Sequence, residues 1–200
     1  YNVNLFGAIN LLEALTALKV PPEKVVLAST ATVYGRKEGV LDETLCSDPI
    51  NHYAVSKLAM EKMARTYNNQ LPIVFSRPFN YTGVGQADNF LIPKIVRHFR
   101  ERMPVLELGN LEVERDFGDV RDAARAYRVL LESGIPDEAY NICTGRAIAL
   151  EHLLEIAKKV TGHHPETLVN PTFIRNNEIQ RLCGDNSKLK ALGWAPEYTI

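Results

Sequence analysis

The sequence has few of the features that mark specialised classes of protein. Its three cysteines, Cys46, Cys143 and Cys183, form no C-x-x-C pair, which argues against a disulfide framework or a zinc site. We therefore expect a reducing compartment, the cytoplasm. With a net charge of −1, the chain has no positive excess for nucleic acid or an anionic membrane. No apolar run approaches the roughly 20 residues that cross a bilayer. We expect neither a nucleic-acid nor a membrane partner.

Two common ligand-binding patterns are also absent. The one histidine pair, His163-His164, is flanked by Gly and Pro and has no partners at metal-ligand spacing, so we interpret it as a solvated loop and predict no metal site. No G-x-G-x-x-G or G-x-x-G-x-x-G segment occurs. Such a loop holds the pyrophosphate of a dinucleotide at a helix N-terminus. We therefore expect the chain alone to bind a dinucleotide weakly or not at all.

The stretch from residue 24 to residue 57 contains the strongest functional signal. Residues 24–28 form a short apolar run with two β-branched side chains, which is typical of a buried strand in a parallel sheet. The hydroxyl-rich residues 29–35 follow at the strand end, where open α/β sheets bind ligands. After a polar loop, a helical pattern carries Tyr53 and Lys57. These two residues are four apart, so they project from one face of the helix.

Thr30, Tyr53 and Lys57 have the chemistry of a proton-transfer site. A tyrosine is a poor acid near neutral pH because its ordinary pKa is about 10. A neighbouring ammonium favours the phenolate, and a hydroxyl partner stabilises it further. Such a tyrosine exchanges a proton with a carbinol or carbonyl oxygen, while a nicotinamide carries the hydride. The alternative is a chance Y-x-x-x-K helix, with its tyrosine in the core and its lysine in solvent.

Periodicity predicts the other elements of the chain. Helices are expected over residues 3–18, 52–68, 89–102, 120–132 and 149–161, and strands over residues 72–76, 105–110 and 139–143. The basic face of the helix over residues 89–102 is interpreted as solvated.

Several segments together resemble a known enzyme family. Residues 29–35 followed by Tyr53-x-x-x-Lys57 are similar to the extended short-chain dehydrogenase/reductases, the NAD-dependent epimerase/dehydratase family, which act on nucleotide sugars. Three further segments fit the same family: R-P-x-N-x-x-G at residues 77–83, R-D-F-x-x-V at 115–120, and D-N-S-K with a following L-G-W at 185–194.

The resemblance implies an α/β fold: the C-terminal part of a Rossmann-like doubly wound parallel sheet, plus a smaller α/β substrate-binding region. Residues 1–80 would belong to the dinucleotide-binding domain and residues 81–200 mainly to the substrate-binding region, with residues 119–145 returning to the Rossmann sheet. In the family a Gly-rich half comes first, so we expect this chain to be a fragment whose sheet has an open edge. The resemblance also implies a homodimer of the full-length form, through the helices over residues 3–18 and 52–68.

The resemblance implies roles for individual residues. The catalytic residues would be Thr30, Tyr53, Lys57 and Asn4. The cofactor, NADP or NAD, would contact Ala28, Ser29, Tyr53, Lys57, Pro78 and Phe79, and the segment that selects between the two cofactors is absent from the sequence. A nucleotide-diphosphate sugar would contact Thr30, Asn80, Phe90, Leu91, Arg115 and Arg175.

Some of these residues also have plain structural interpretations. Asn4 could be a helix N-cap. A guanidinium such as that of Arg115 suits a pyrophosphate because it binds two oxygens at once. The structural alternative is a pair with Asp116 or Asp119. After Arg175 the family carries a proline, whereas this sequence has Asn176.

Ala31 and Thr32 bear on the type of reaction. The family's dehydratases carry an acid just after the active-site threonine to move the proton during water elimination, so Ala31 and Thr32 argue against a 4,6-dehydratase. Residues 80–86, 108–112 and 115–117 are most similar to the GDP-4-keto-6-deoxy-D-mannose reductases, which use NAD(P)H to form GDP-rhamnose. Residues 31–35 are more similar to the UDP-sugar 4-epimerases, which are the alternative. A second alternative is a non-catalytic nucleotide-sugar-binding remnant or partner subunit.

Overall fold

The computed structural model describes residues 1–174 and 179–199. The α-helices in these ranges are α1 Gly7–Thr16, α2 His52–Ala64, α3 Leu91–Arg100, α4 Val120–Ser133, α5 Leu150–Thr161 and α6 Ser187–Lys190. The strands are β1 Val25–Ala28, β2 Val40–Leu41, β3 Ile73–Pro78, β4 Asn80–Thr82, β5 Val105–Leu108, β6 Glu114–Asp119, β7 Ala139–Ile142, β8 Ala147–Ala149, β9 Glu166–Val169 and β10 Arg181–Gly184. A π-helical turn covers Asn2–Phe6, and 3₁₀ turns cover Ala31–Tyr34, Arg65–Tyr67 and Pro171–Phe173. None of the helices described combines the length and the apolar character needed to cross a bilayer.

The first sheet contains the strand predicted upstream of the hydroxyl cluster. β1, β3 and β7 lie side by side in that order and run parallel, so β1 is an edge strand. Leu27 and Phe75 pack with α1 and α2 on one face, whereas Val26 and Val74 pack with α4 on the other. Helices on both faces explain why these strands are mostly apolar and why β3 and β7 are almost fully buried. The parallel α/β arrangement confirms the predicted fold class.

The second half of the chain builds two smaller sheets. β2, β10, β6 and β4 run parallel in that order, and β8 pairs antiparallel with β6. β5 and β9 form a separate parallel pair. A second core between α3, α5 and these strands includes Phe99, Leu106, Phe117 and Leu153. Between these parts, α4 and β7 return the chain to the first sheet.

The structure adjusts several predicted boundaries. The first helix opens as the π-helical turn and its α-helical part ends at Thr16. The helix predicted to begin at residue 89 begins at Leu91, which places Pro93 in the first turn, where its missing N–H leaves no intrahelical bond unmade. Most strands of the second half were not predicted because they are short or polar. β6, with the sequence E-R-D-F-G-D, is a strand because both of its edges are paired.

A buried ion pair joins α2 to β3. The Arg77 guanidinium donates to both carboxylate oxygens of Glu61, at 3.0 and 2.7 Å, and the two residues are 6% and 1% exposed. Burial alone would lower the pKa of Arg77, but the hydrogen bonds and charge of Glu61 raise it above its ordinary value, so the arginine stays charged. Both charges have lost their hydration, and each therefore depends on the other.

Removing one member of this pair should be costly. Glu61→Ala leaves Arg77 as an unpaired buried charge, and we expect it to lower the free energy of unfolding by about 3–5 kcal/mol. Denaturant titration followed by circular dichroism measures the change. Glu132→Ala is the matched control because it removes the exposed pair with Arg128, at 2.7 Å, and should have little or no effect. Equal losses for the two variants would contradict this interpretation.

Candidate active site

The candidate site lies where β1 ends and α2 begins. Lys57 on α2 donates from Nζ to the carbonyl oxygen of Ala28, the last residue of β1, at 2.7 Å. This contact holds the ammonium at the carboxyl edge of the first sheet. Burial lowers the pKa of Lys57 because an ammonium loses hydration there.

Thr30 closes the same edge from the loop that follows β1. It is 6% exposed and is the N-cap of the 3₁₀ turn Ala31–Tyr34. Its Oγ1 accepts from the Thr32 amide at 3.3 Å and lies 3.0 Å from Thr32 Oγ1. The capping role fixes the hydroxyl in one place, which is what a substrate-orienting hydroxyl requires.

Tyr53 lies in the first turn of α2. Asn51 caps this helix by accepting from the Ala54 amide at 2.9 Å, so the turn that carries Tyr53 is well defined. Tyr53 is 50% exposed and is therefore accessible, unlike a core tyrosine. The alternative with a buried tyrosine and a solvated lysine is wrong, because Lys57 is the one held at the strand end.

Asn4 is connected to Tyr53 through a residue that the sequence analysis did not single out. Asn4 Nδ2 donates to Ser56 Oγ at 3.0 Å, and Ser56 Oγ donates to the Tyr53 carbonyl at 2.7 Å. Ser56 is 2% exposed. The π-helical turn therefore bonds to the first turn of α2. The only sequence signal for Ser56 was its place directly before Lys57.

Ser29 and Pro78 lie at the carboxyl ends of neighbouring strands. Ser29 is 2% exposed, and its hydroxyl has no hydrogen-bond partner among the described residues. A buried hydroxyl without a partner is costly, and such an atom at the edge of an α/β sheet is suited to a ligand. Pro78 ends β3 and is partly exposed, and Ala28 is exposed.

Phe79 differs from the expectation. The resemblance gave its side chain a cofactor contact, but its ring is 5% exposed and packs with Tyr34, Cys143 and Leu182. A Cβ on Gly184 would come within 2.6 Å of this ring, which shows how closely the interior encloses it. The position directly after it, Asn80, is exposed on β4.

Ser76 and Tyr127 form another polar pair beneath this edge. Ser76 Oγ donates to Tyr127 Oη at 3.2 Å, which links β3 to α4. Burial raises the pKa of Tyr127, and the hydrogen bond with Ser76 offsets part of that rise, so Tyr127 remains protonated. The alternation of the strand could have predicted the side of the sheet for Ser76, but not its partner.

Arg115, Asp116 and Asp119 each make different contacts in the structure. Arg115 Nη1 donates to the carbonyl oxygens of Glu114 and Gln180, at 2.8 and 3.3 Å. Asp119 instead binds Arg121 through two contacts of 2.8 Å.

Asp116 is fully buried and anchors the loop after β7. It accepts from the backbone amides of Thr144 and Gly145, at 2.8 and 2.9 Å, and from the Thr144 hydroxyl at 2.7 Å. Burial raises the pKa of its carboxyl above the ordinary value, and these hydrogen bonds offset part of that rise.

The remaining predicted substrate residues, Phe90, Leu91 and Arg175, differ in their surroundings. Phe90 is the N-cap residue of α3 and is 53% exposed, and Leu91 begins the helix and packs partly on the second core. Arg175 lies outside the described residues. No cluster of three or more potential metal ligands occurs in the described part of the chain.

The two positions directly after Thr30 carry no acid, and the acid Glu43 is hydrogen-bonded to β7. Ala31 is 1% exposed and Thr32 is bonded to Thr30. Glu43, further along, accepts from the Asn141 backbone amide at 2.7 Å. Burial raises the pKa of Glu43, and its carboxylate is committed to β7 rather than to the open edge.

Comparison with known proteins fits this geometry. The family model described as GDP-mannose 4,6 dehydratase matches residues 1–200. The chain belongs to this family. A GDP-6-deoxy-D-talose 4-dehydrogenase from Aggregatibacter actinomycetemcomitans is 38% identical over 190 residues, which cover 94% of this chain and 65% of the relative. A GDP-6-deoxy-D-mannose reductase from Pseudomonas aeruginosa is 34% identical over 209 residues, which cover 99% of this chain and 68% of the relative.

The chain thus spans about two thirds of the length of these curated relatives. The structure of RMD from Pseudomonas aeruginosa complexed with NADPH superposes with a TM-score of 0.91 at 32% identity, covering 99% of this chain and 69% of that one. The fold is therefore the Rossmann-like α/β fold of the epimerase/dehydratase family.

The bond between Asn4 and Ser56 can be tested without substrate. Ser56→Ala removes the hydroxyl that joins the two segments, and we expect backbone amides of Asn2–Phe6 to exchange roughly two- to tenfold faster, as for the loss of one hydrogen bond. Hydrogen–deuterium exchange measures this.

Thr66→Ala is the matched control, because Thr66 makes the same contact to a carbonyl three residues earlier, Met63, at 2.7 Å, on the exposed side. Unchanged exchange in Ser56→Ala would contradict the link.

Proposed function

We propose that this chain is the proton-transfer and sugar-binding part of an NAD(P)-dependent nucleotide-sugar reductase. The reaction is reduction of the 4-keto group of GDP-4-keto-6-deoxy-mannose, giving GDP-rhamnose. The observation that carries the proposal is the Lys57 contact with Ala28, which holds an ammonium at the edge where Tyr53 and Thr30 also lie. Two curated relatives whose names specify GDP-6-deoxyhexose oxidation or reduction support the substrate class.

The residues present fit the nicotinamide end of a dinucleotide cofactor. Ala28, Ser29 and Pro78 would hold the nicotinamide end: the Ser29 hydroxyl is buried without a described partner, and Ala28 and Pro78 are accessible at the ends of neighbouring strands. The cofactor, NADP or NAD, supplies the hydride when bound. The sequence carries no Gly-rich loop for its pyrophosphate.

The protein's own groups handle the proton. Tyr53 donates its phenolic proton to the oxygen that becomes the new hydroxyl, and Thr30 hydrogen-bonds that same oxygen and orients it. Lys57 favours the phenolate left on Tyr53 because its charge is opposite. Asn4 acts behind these groups by fixing Ser56, which in turn holds the backbone of Tyr53.

The nucleotide-diphosphate sugar would lie across β4 and β6. Asn80 on β4 pairs in register with Phe117, two residues after Arg115 on β6, so both side chains belong to neighbouring strands. Arg115 binds the diphosphate as a fork, and Asn80, Phe90 and Leu91 contact the rest of the molecule. For Arg175, contact with the diphosphate is proposed from the sequence resemblance alone.

The reductase is favoured over the other reactions of the family. Ala31 and Thr32 provide no acid for water elimination, which disfavours a dehydratase despite the description of the family model. The UDP-sugar 4-epimerase remains the second candidate because of residues 31–35.

The test uses the protein expressed from its complete reading frame, mixed with NADPH and GDP-4-keto-6-deoxy-mannose. Stoichiometric loss of NADPH absorbance, with an NMR spectrum of GDP-rhamnose, supports the proposal. The C4 epimer of GDP-rhamnose as product would mean that the hydride reaches the opposite face of the C4 carbonyl. No NADPH loss, together with interconversion of UDP-sugars, would overturn the proposal in favour of the epimerase. Nucleotide-sugar binding without any turnover would favour the non-catalytic alternative.

Tyr53→Phe removes the proton donor but keeps the ring. We expect turnover to fall roughly 10²–10⁴-fold, with the dissociation constant of the nucleotide sugar nearly unchanged, because the hydroxyl acts on the reacting oxygen. Steady-state kinetics and calorimetry measure the two quantities. Tyr67→Phe is the control, since the Tyr67 hydroxyl donates to Glu13 Oε1 at 2.9 Å and belongs to no part of the candidate site. Equal activity in wild type and Tyr53→Phe would contradict the assignment.

We also propose a homodimer in a reducing, cytoplasmic setting. All three cysteines are free thiols, which supports the setting. The π-helical turn and α1 expose apolar side chains that a partner subunit would cover: Val3, Phe6 and Leu11 are 85%, 54% and 49% exposed.

Replacing Phe6 and Leu11 together by Lys should therefore convert the dimer into a monomer in light scattering. Val160→Lys, at an apolar position that is 79% exposed on α5, should not. A monomeric wild type would count against the dimer.

A further inference from the structure

Four buried polar residues form a continuous chain beneath the candidate site. We call Glu61, Arg77, Tyr34 and Asn141 the Tyr34 network. Arg77 Nη1 donates to Tyr34 Oη at 3.2 Å, and the Tyr34 hydroxyl donates to Asn141 Oδ1 at 2.7 Å. The Arg77 guanidinium carbon also lies 5.0 Å from the centre of the Tyr34 ring. None of the four residues is more than 6% exposed.

The network is fully satisfied at its centre. The Tyr34 hydroxyl both accepts and donates, and burial raises its pKa to about 12, so it keeps its proton and its role as donor. The Asn141 amide donates to the carbonyls of Leu41 and Asp185, at 2.8 and 3.2 Å. A network with every member paired holds its groups in one arrangement, and a single deletion leaves several buried groups unpaired.

Each member of the network belongs to an element that carries a candidate site residue or supports one. Tyr34 ends the 3₁₀ turn that Thr30 caps. Glu61 lies on α2, four and eight residues after Lys57 and Tyr53, and so shares their helix face. Arg77 directly precedes Pro78 at the end of β3. Asn141 lies on β7, which pairs with β3, and its amide ties β7 to Leu41 on β2 and to Asp185 after β10.

From this geometry we infer that Tyr34 is a positioning residue for turnover, acting through Thr30. Arg77 holds the Tyr34 hydroxyl from the strand, and the four-residue 3₁₀ turn that Thr30 caps connects Tyr34 to the Thr30 hydroxyl. Arg77, although it opens the R-P-x-N segment, is committed to Glu61 and Tyr34 and is not a ligand for phosphate. This inference rests on the proposed reductase function.

The test compares kinetic constants in a double-mutant cycle made on the protein from the complete reading frame. Tyr34→Phe should lower kcat roughly tenfold to a hundredfold, as expected for a small displacement of a group in contact with substrate, while the KM values for nucleotide sugar and NADPH change less than twofold. Thr30→Ala also lowers kcat. If Tyr34 acts through Thr30, the double variant is no slower than Thr30→Ala alone.

A merely structural role gives a different pattern. If Tyr34→Phe only reduced the amount of folded enzyme, its fall in kcat would multiply with that of Thr30→Ala. The kcat of Tyr67→Phe shows how much the loss of a tyrosine hydroxyl elsewhere in the protein changes the rate. Multiplicative effects of Tyr34→Phe and Thr30→Ala, or an unchanged kcat in Tyr34→Phe, would overturn the inference. A wild-type protein without NADPH-dependent turnover would instead overturn the proposed function, so the two failures are distinguishable.

If Tyr34→Phe does not fold, a second variant tests the same hydrogen bond between Arg77 and Tyr34. Arg77→Lys keeps the charge beside Glu61 but lacks the fork needed to bind Glu61 and Tyr34 together. We expect the same fall in kcat with unchanged KM, and again no further loss when it is combined with Thr30→Ala. Independent, multiplying effects of Arg77→Lys and Thr30→Ala would contradict the inference.

Discussion

The buried ion pair between Glu61 and Arg77 is the constraint on which the candidate site depends. Two charges lie where water cannot reach them, and each is satisfied only when α2 and β3 adopt one relative position. That position brings the first two turns of α2, with Tyr53 and Lys57, to the carboxyl edge of the first sheet. Apolar packing between α1, α2 and the sheet supplies most of the stabilisation, but it is tolerant of small shifts, whereas a bidentate guanidinium is not.

The residues proposed to hold and move a proton are fixed by contacts from different parts of the chain. Lys57 bonds to the end of β1, the backbone of Tyr53 is linked through Ser56 to the π-helical turn, and Thr30 caps the 3₁₀ turn that follows β1. The positions after Thr30 carry a buried alanine and a threonine bonded back to Thr30, so neither position supplies an acid. This absence at the two positions supports the proposed reduction over a water elimination. Glu43 and Asp116 instead anchor β7 and the loop after it.

Sequence reasoning could propose those parts of the candidate site that depend on local pattern. Tyr53 and Lys57 could be paired because residues four apart share a helix face, and Thr30 could be placed because it follows an apolar strand. The burial of the Phe79 ring could not be predicted, because it depends on packing against Cys143 and Gly184, which are distant in sequence. Ser56, Tyr34 and Asn141 were missed for the same reason: their partners come from other elements. β4 and β6 carry no apolar alternation and exist through pairing, so pattern alone could not predict them.

The central claim, reduction at C4 of the sugar, is tested most directly by isotope transfer. The protein from the complete reading frame is incubated with GDP-4-keto-6-deoxy-mannose and NADPH that carries deuterium at the transferable position of the nicotinamide. The account predicts one deuterium at C4 of the product and one NADP⁺ formed for each sugar reduced. A product without deuterium, or an altered sugar with no net oxidation of NADPH, would contradict it.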